Sequence, residues 1–421
     1  MNPAEVLSKP LKLKNSSVIP NRFAKSAMSE TLGTIDNRVT KELVTLYRTW
    51  AEGGTGLSIT GNVMVDRRHI GEPQNVVLDD ERDIELLKAW ADAGKVDGKQ
   101  IWMQLNHPGK QIPKMLNKSP VSPSAIPFSK ALQSMFGTPR ALTGPEIEDI
   151  VQRFAHSAAI AEQAGFDGVQ IHGAHGYLVS QFLSPHHNQR TDEWGGSAEK
   201  RMRFVLEIYR AIRASTQPGF CVGIKLNSAD FQRGGFTEEE SLAVIDALAS
   251  EGIDLVEISG GNYENPAMAK GAGKSKGSSE VKQSTLAREA YFLEFAEKVR
   301  KRADVLLMVT GGFRTSEGMA HAVASGATDL VGLARPLAVE PDSPNRILSG
   351  ESFTSVVKPI KTGIRAIDNM ALMEVSWYAR QLGRMGKGRQ PRQHDRGLWS
   401  LVEVLGVMTT RGVRTRLRAG E

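Results

Sequence analysis

Eight short apolar runs, each followed by polar loop residues and then by a stretch of helical periodicity, constrain this chain's fold most strongly. The runs are Arg22–Ala27, Gly56–Val65, Gln100–Asn106, Gly168–His172, Cys221–Asn227, Leu255–Ser259, Val305–Thr310 and Asp329–Leu333. They are dense in Val, Ile and Leu with little alternation, the composition of strands covered on both faces. Between them, Thr40–Glu52, Glu81–Val96, Thr143–Gly165, Ser197–Ala214, Thr237–Ser250, Glu289–Arg302 and Ser316–Ser325 read as helices. Thr143-Gly-Pro-Glu146, Ser197-Ala-Glu-Lys200 and Thr237-Glu-Glu-Glu240 place hydroxyls and acids where the first exposed N–H groups of a helix need partners. Strand–helix alternation over about 310 residues fits a doubly wound sheet or a barrel. Eight units favour the barrel, and no early strand is followed by G-x-G-x-x-G, the mark of a dinucleotide-binding sheet. The expected fold is an α/β chain: a (β/α)8 TIM barrel over residues 1–350 with a basic, mostly helical C-terminal extension over 351–421.

Two insertions interrupt the alternation. Pro113–Leu142, with several Pro and Ser residues, reads as a loop or hairpin over the barrel mouth, and Asn262–Glu280, rich in Gly, Lys and Ser, as a mobile loop after the sixth strand. In the extension, Ile360–Leu382 has helical periodicity, and a polar linker leads to an amphipathic stretch, Leu398–Thr410. Packing on its own barrel or on a sister subunit is the expected use of the extension, with a homo-oligomer as one outcome; a membrane surface is the rarer alternative.

Charge follows the same division. From Ser355 onward there are thirteen Lys/Arg against five Asp/Glu, so residues 1–354 carry −2 of a chain total of +6. A nearly neutral barrel gives no reason to expect nucleic-acid binding. The single cysteine, Cys221, excludes an internal disulfide and any four-cysteine zinc or iron–sulfur site. No apolar run is long enough to span a bilayer and the N-terminal residues lack a signal-type apolar core, so a cytoplasmic protein is expected.

The densest chemical constellation lies where the fourth strand ends, at Val169-Gln-Ile-His172-Gly-Ala-His175-Gly-Tyr177. Strand ends of a barrel face the catalytic mouth. Two imidazoles there can donate to one developing oxyanion, and a phenol beside them can give a proton. A His172/His175 metal site, as in a metallohydrolase, is the alternative, but no third ligand is evident at a strand end, so no metal is expected. Gly311 and Gly312 after the seventh strand let the backbone approach a phosphate, and Arg335, after Ala334 at the end of the eighth, can clamp it. That pattern alone signals a phosphorylated ligand of any kind. Lys225 at a strand end can hold negative charge; a Schiff-base lysine, as in barrel lyases and aldolases, is its other reading.

The run Tyr177-Leu-Val-Ser-Gln-Phe-Leu-Ser-Pro185, continued by Asn188-Gln-Arg-Thr-Asp-Glu-Trp-Gly-Gly196, closely resembles the old yellow enzyme family, with only the aromatic Trp194 differing from the family pattern. Asn21–Ser29, Gln104-Leu-Asn-His-Pro-Gly109, Gly223–Asp230, Thr310-Gly-Gly-Phe-Arg314 and Gly332-Leu-Ala-Arg335 match further family segments, and the resemblance covers roughly residues 3–345. It implies tightly but non-covalently bound FMN, contacted by Ser26, Ala27, Met28, Ser29, Gly61, Gln104, Lys225, Gly311, Gly312, Ala334 and Arg335. It also implies NADH or NADPH as co-substrate and an activated alkene (enone, enal or nitroalkene) as acceptor. His172 and His175 would hold the acceptor's oxygen, hydride would pass from the flavin to the β-carbon, and Tyr177 would protonate the α-carbon. Three positions depart from the pattern. Ser29 replaces Thr or Cys, Glu30-Thr31 replaces a tyrosine of one subgroup, and Lys225 replaces the commoner Arg, keeping the charge without the planar fork. Cys221 alone cannot build the cluster of the family's larger, multidomain members, so a stand-alone barrel is expected.

Overall fold

A computed structural model describes residues 1–130, 132–259, 292–358, 360, 372–393, 402 and 406. Its centre is a closed parallel barrel of eight strands: β1 (Phe23–Lys25), β2 (Leu57–Ile59), β3 (Gln100–Asn106), β4 (Gly168–Gly173), β5 (Cys221–Asn227), β6 (Leu255–Ser259), β7 (Leu306–Thr310) and β8 (Leu330–Leu333). Each pairs with the next, and β8 pairs back onto β1, so no edge is left open. The helices around it are α1 (Lys41–Glu52), α2 (Ile84–Gly94), α3 (Gly144–Gln163), α4 (Ala198–Ser215), α5 (Glu238–Ser250), α6 (residues 292–300), α7 (Ser316–Ala324) and α8 (Leu372–Gly386). The (β/α)8 architecture is as expected.

Alternation along each strand divides the core in two. Outward residues such as Ile101, Val169, Ile224, Ile258 and Val309 join the shell between barrel and helices. Their inward neighbours Ala24, Leu57, Ile59, Trp102, Cys221, Leu255, Met308 and Leu330 form a second cluster inside the barrel. Leu11, Leu13 and Ile19 belong to that inner cluster. Leu11 and Ile19 come from an antiparallel pair, Leu11–Lys12 with Val18–Ile19, that closes the end away from the mouth, and Leu13 follows directly after it. The floor is therefore apolar, and every later inward position, two residues further along a strand, falls nearer the mouth.

The predicted caps form. Thr143 with Glu146 and Thr237 with Glu240 make complete capping boxes, and the Ser197 hydroxyl accepts from the Lys200 N–H. One strand differs from expectation. Gly56–Val65 was expected as a single strand but divides into β2 and a second piece, Val63–Met64, because the Gly61 N–H is taken by Tyr47 Oη (2.9 Å) instead of a ladder partner. The Pro113–Leu142 insertion contains a short parallel pair, Val121–Ser122 with Arg140–Ala141. The expected loop Asn262–Glu280 and nearly all of Leu398–Thr410 lie outside the described residues.

The periodic segment expected over Ile360–Leu382 is described from residue 372 onward as α8, which continues to Gly386. α8 packs against α1 and the short helix Arg335–Val339, burying Trp377, Tyr378, Leu382 and Met385. Among the described residues, no helix is long and apolar enough to cross a membrane. Leu382 is fully buried in this contact. Leu382→Ala is expected to cost about 2–5 kcal/mol, read as a lower urea midpoint; an unchanged midpoint would mean that α8 does not dock in solution.

Candidate active site

The turn after β4 gathers the first three candidate side chains. His175 (φ 62°) and Gly176 (φ 78°) both adopt the left-handed conformation, reversing the chain before the short helix Leu178–Leu183. A histidine there is uncommon and carries local strain. The reversal brings His175 Nδ1 to 3.3 Å from His172 Nε2, and the Tyr177 ring centroid to 4.7 Å from that of His172. His175 Nε2 also contacts Ser259 Oγ of β6 at 2.8 Å, and its backbone N–H donates to Asn227 Oδ1 at 3.2 Å. His172 Nδ1 is buried and has no hydrogen-bond partner among the described residues. A buried polar atom left in this way marks a place for a group the fold does not supply. The three residues do converge.

Electrostatics keep both rings neutral. Burial, then the nearby His175 and Lys225, holds His172 well below the ordinary histidine range. Burial and Lys225 push His175 down to about 3. Each imidazole is therefore a neutral group with a single N–H to give.

One layer deeper lies a polar ring. Gln104 Nε2 of β3 donates to Gln170 Oε1 of β4 at 2.7 Å, and Gln170 Nε2 donates to Glu257 of β6 at 2.8 Å. Glu257 also pairs with Lys225 of β5 at 2.9 Å and accepts from Thr310 Oγ1 of β7 at 2.6 Å. Thr310 in turn meets Ser26 Oγ at 2.7 Å. A Cβ on Gly332 would fall 2.0 Å from Thr310 Oγ1, so only glycine allows β8 to pass this ring. Gln170, Glu257 and Thr310 were not singled out from the sequence.

Gly311 (φ 112°) and Gly312 (φ 90°) follow β7 in conformations that side chains rarely adopt. Beside them, Ala334 leads from β8 into Arg335, whose Nη1 lies 3.1 Å from Glu374 of α8. The arginine assigned to a phosphate is thus shared with a carboxylate of the C-terminal helix.

The remaining candidates sit on the β1–β2 side. The Ser29 hydroxyl donates to Glu72. Gly61 has both backbone polar groups engaged: its N–H by Tyr47 and Glu30, and its carbonyl by the Thr60 hydroxyl at 2.8 Å. Close approach of its Cα is what Gly61 has left to offer a ligand. The Met28 carbonyl lies 2.6 Å from where a Gly61 Cβ would be, and Ala27 packs on the inner cluster. Lys25, also unforeseen, points outward from β1 and is fully buried, with Glu30 at 3.1 Å and Tyr47 Oη at 2.8 Å.

The run Asn188–Gly196 holds structure together. Asn188 Nδ2 donates to the Phe182 and Trp194 carbonyls, both at 2.8 Å, and Arg190 Nη1 donates to the Pro123 and Leu142 carbonyls at 2.9 and 2.6 Å. It therefore ties the Pro113–Leu142 insertion to the mouth. Two alternative chemistries lose support. The Lys225 ammonium is paired with a carboxylate, which opposes the free amine that Schiff-base formation needs. Among the described residues, the group of three metal-ligating side chains is Asp66, His69 and His107, which includes neither His172 nor His175. There Arg68 already occupies the Asp66 carboxylate, at 2.7–3.1 Å.

A sequence profile of the NADH:flavin oxidoreductase / NADH oxidase family matches residues 6–352. The chain belongs to this family, which includes the old yellow enzymes. An NADH-dependent flavin oxidoreductase of Neonectria sp. (strain DH2) is 38% identical over 89% of the chain, which spans 51% of that protein's length. Another, of Hypocrea jecorina (strain QM6a), is 36% identical over 89% of the chain and 95% of its own length. Morphinone reductase in complex with tetrahydroNAD superposes with a TM-score of 0.67 at 25% identity, covering 83% of this chain and 92% of that one. The family's cofactor is FMN and its co-substrate a reduced nicotinamide. The residues present fit FMN. Lys225, Gln104 and Ser26 offer charge, donors and acceptors at one level of the barrel, as the alternating carbonyl and N–H edge of a flavin requires. Gly311, Gly312 and Arg335 gather at the ends of β7 and β8, where this fold commonly holds phosphate.

The neutral histidines have a consequence for stability. Unfolded histidine titrates near 6.5, whereas folded His175 stays neutral down to about 3. Between those values the unfolded chain binds more protons, so this contribution is whole above about pH 6.5 and is lost as the pH falls toward 3. His175→Asn is expected to flatten the fall in stability between neutral and acidic pH, by at most one proton, about 1.4 kcal/mol per pH unit. Urea titrations across that range read it, and parallel slopes for the variant and the wild type would contradict it.

Proposed function

We propose that this protein is an ene-reductase that saturates the C=C bond of an activated alkene such as an enone, enal or nitroalkene. The convergence of His172, His175 and Tyr177 at one strand end carries the reading. When bound, FMN accepts hydride from NADH or NADPH and delivers it to the alkene. His172 and His175 hold the carbonyl or nitro oxygen, their Nε2–Nδ1 contact opening so that each N–H can donate, and the buried His172 Nδ1, without a hydrogen-bond partner among the described residues, supports this. Because both rings are neutral, they stabilise the developing negative charge by hydrogen bonding, without giving up a proton. Tyr177, almost fully buried beside His172, gives its phenolic proton to the α-carbon, and solvent restores it. Gln104, Lys225, Ser26, Gly61 and the Ala27–Ser29 segment are proposed to hold the flavin ring, and Gly311, Gly312, Ala334 and Arg335 its phosphate. Residues 351–421 are proposed to act as an extension of the barrel, because α8 buries its apolar face on α1.

Loss of one oxyanion donor typically costs a hundredfold or more in rate, about 3–4 kcal/mol. His172→Ala is therefore expected to slow oxidation of the reduced enzyme by cyclohexenone at least about a hundredfold. Reduction by NADH or NADPH should change far less. Tyr177→Phe should likewise slow mainly the alkene half-reaction. Stopped-flow absorbance separates the two halves. Equal losses in both for His172→Ala, or an unaffected alkene step for Tyr177→Phe, would remove these residues from their roles.

A further inference from the structure

Glu257 is among the buried charges to which the proposed mechanism gives no task. Glu257 is completely inaccessible, points inward from β6, and lies at the hub of the polar ring. We propose that Glu257 is a positioning residue that neutralises Lys225 and thereby keeps the reduction potential of the bound flavin below the value the Lys225 cation alone would set. The inference rests on the reading that Lys225 faces the flavin.

Three observations support it. Lys225 and Glu257 are direct register partners on adjacent parallel strands, so the sheet itself places their side chains next to each other. Both are almost wholly buried, where neighbouring charges are felt more strongly than in water. Lys25, a buried cation close enough to interact with Lys225, is already paired with Glu30. Burial alone would raise the Glu257 pKa, but Lys225 and hydrogen bonds from Thr310 and Gln170 hold it below the ordinary range, so the carboxylate stays charged. Two electrons and one proton add one negative charge to the flavin ring. An unopposed cation beside the ring favours that form, and a carboxylate paired to the cation cancels most of the preference. The same carboxylate anchors Gln170, and through it Gln104, and also Thr310, and through it Ser26.

The test is the midpoint potential of the FMN-loaded enzyme, measured by reductive titration against a reference dye. Glu257→Gln keeps the shape and removes the charge. It is expected to shift the reduction equilibrium at least tenfold toward the reduced form, about 30 mV more positive for a two-electron couple. Lys225→Met should shift it at least about tenfold the other way. Glu257→Asp, which retains the charge, should stay within about threefold of wild type; a shift as large as that of Glu257→Gln would mean that packing, not charge, sets the potential. An unchanged or lower potential in Glu257→Gln, beside a lowered one in Lys225→Met, overturns the proposal and leaves Lys225 at the flavin. An unchanged potential in Lys225→Met takes Lys225 away from the flavin, and the proposal with it. If Glu257→Gln does not accumulate with flavin bound, the Lys225→Met/Glu257→Gln double variant reads the same balance. Recovery to within about threefold of wild type supports the proposal, and a potential as low as that of Lys225→Met alone contradicts it.

Discussion

Taking a carboxylate and an ammonium out of water costs several kcal/mol per ion, a loss regained only when geometry is good and the remaining lone pairs are satisfied. The Glu257–Lys225 pair meets both conditions, with the Thr310 hydroxyl and the Gln170 amide completing the carboxylate's partners. Through Gln104 and Ser26 the network reaches residues on or just after six of the eight barrel strands. It therefore also specifies register. A one-residue slip of β6 would turn Glu257 outward into the shell of Val, Ile and Leu and away from these partners.

The candidate site is stacked on this layer. The apolar floor excludes water from below, the charged and amide ring offers a flat ligand its polar edge, and the histidines lie nearer the mouth. His172 is the in-register neighbour of Lys225, which is why burial and the lysine together keep the imidazoles neutral. The turn through His175 and Gly176 sets the geometry, since a conventional helical or extended path there would carry His175 away from His172.

Much of this was legible in the sequence, for physical reasons. Strands buried on both faces are apolar over most of their length, so all eight stood out, and three helix starts showed through their caps. His172, His175 and Tyr177 were legible because one strand end and one turn carry all three. Glu257 and Gln170 were not, because their partners stand on other strands, dozens of residues away in the sequence, and only strand pairing brings them together. A signal was present nonetheless: an acid in the run Leu255-Val-Glu257-Ile-Ser259 has to be buried, and the run before it in the sequence carries Lys225 in the same predicament. The sharing of Arg335 with Glu374 depends on which face α8 turns to the barrel, and periodicity alone does not say which surface an amphipathic helix covers.

Whether the polar ring and the histidines serve a bound flavin is tested most directly by the absorption spectrum of the purified protein. The expected result is the yellow spectrum of an oxidised flavin, bleached by NADH or NADPH without oxygen and restored by cyclohexenone. A colourless protein that takes up no FMN, or a bleached one that cyclohexenone leaves unchanged, would contradict it.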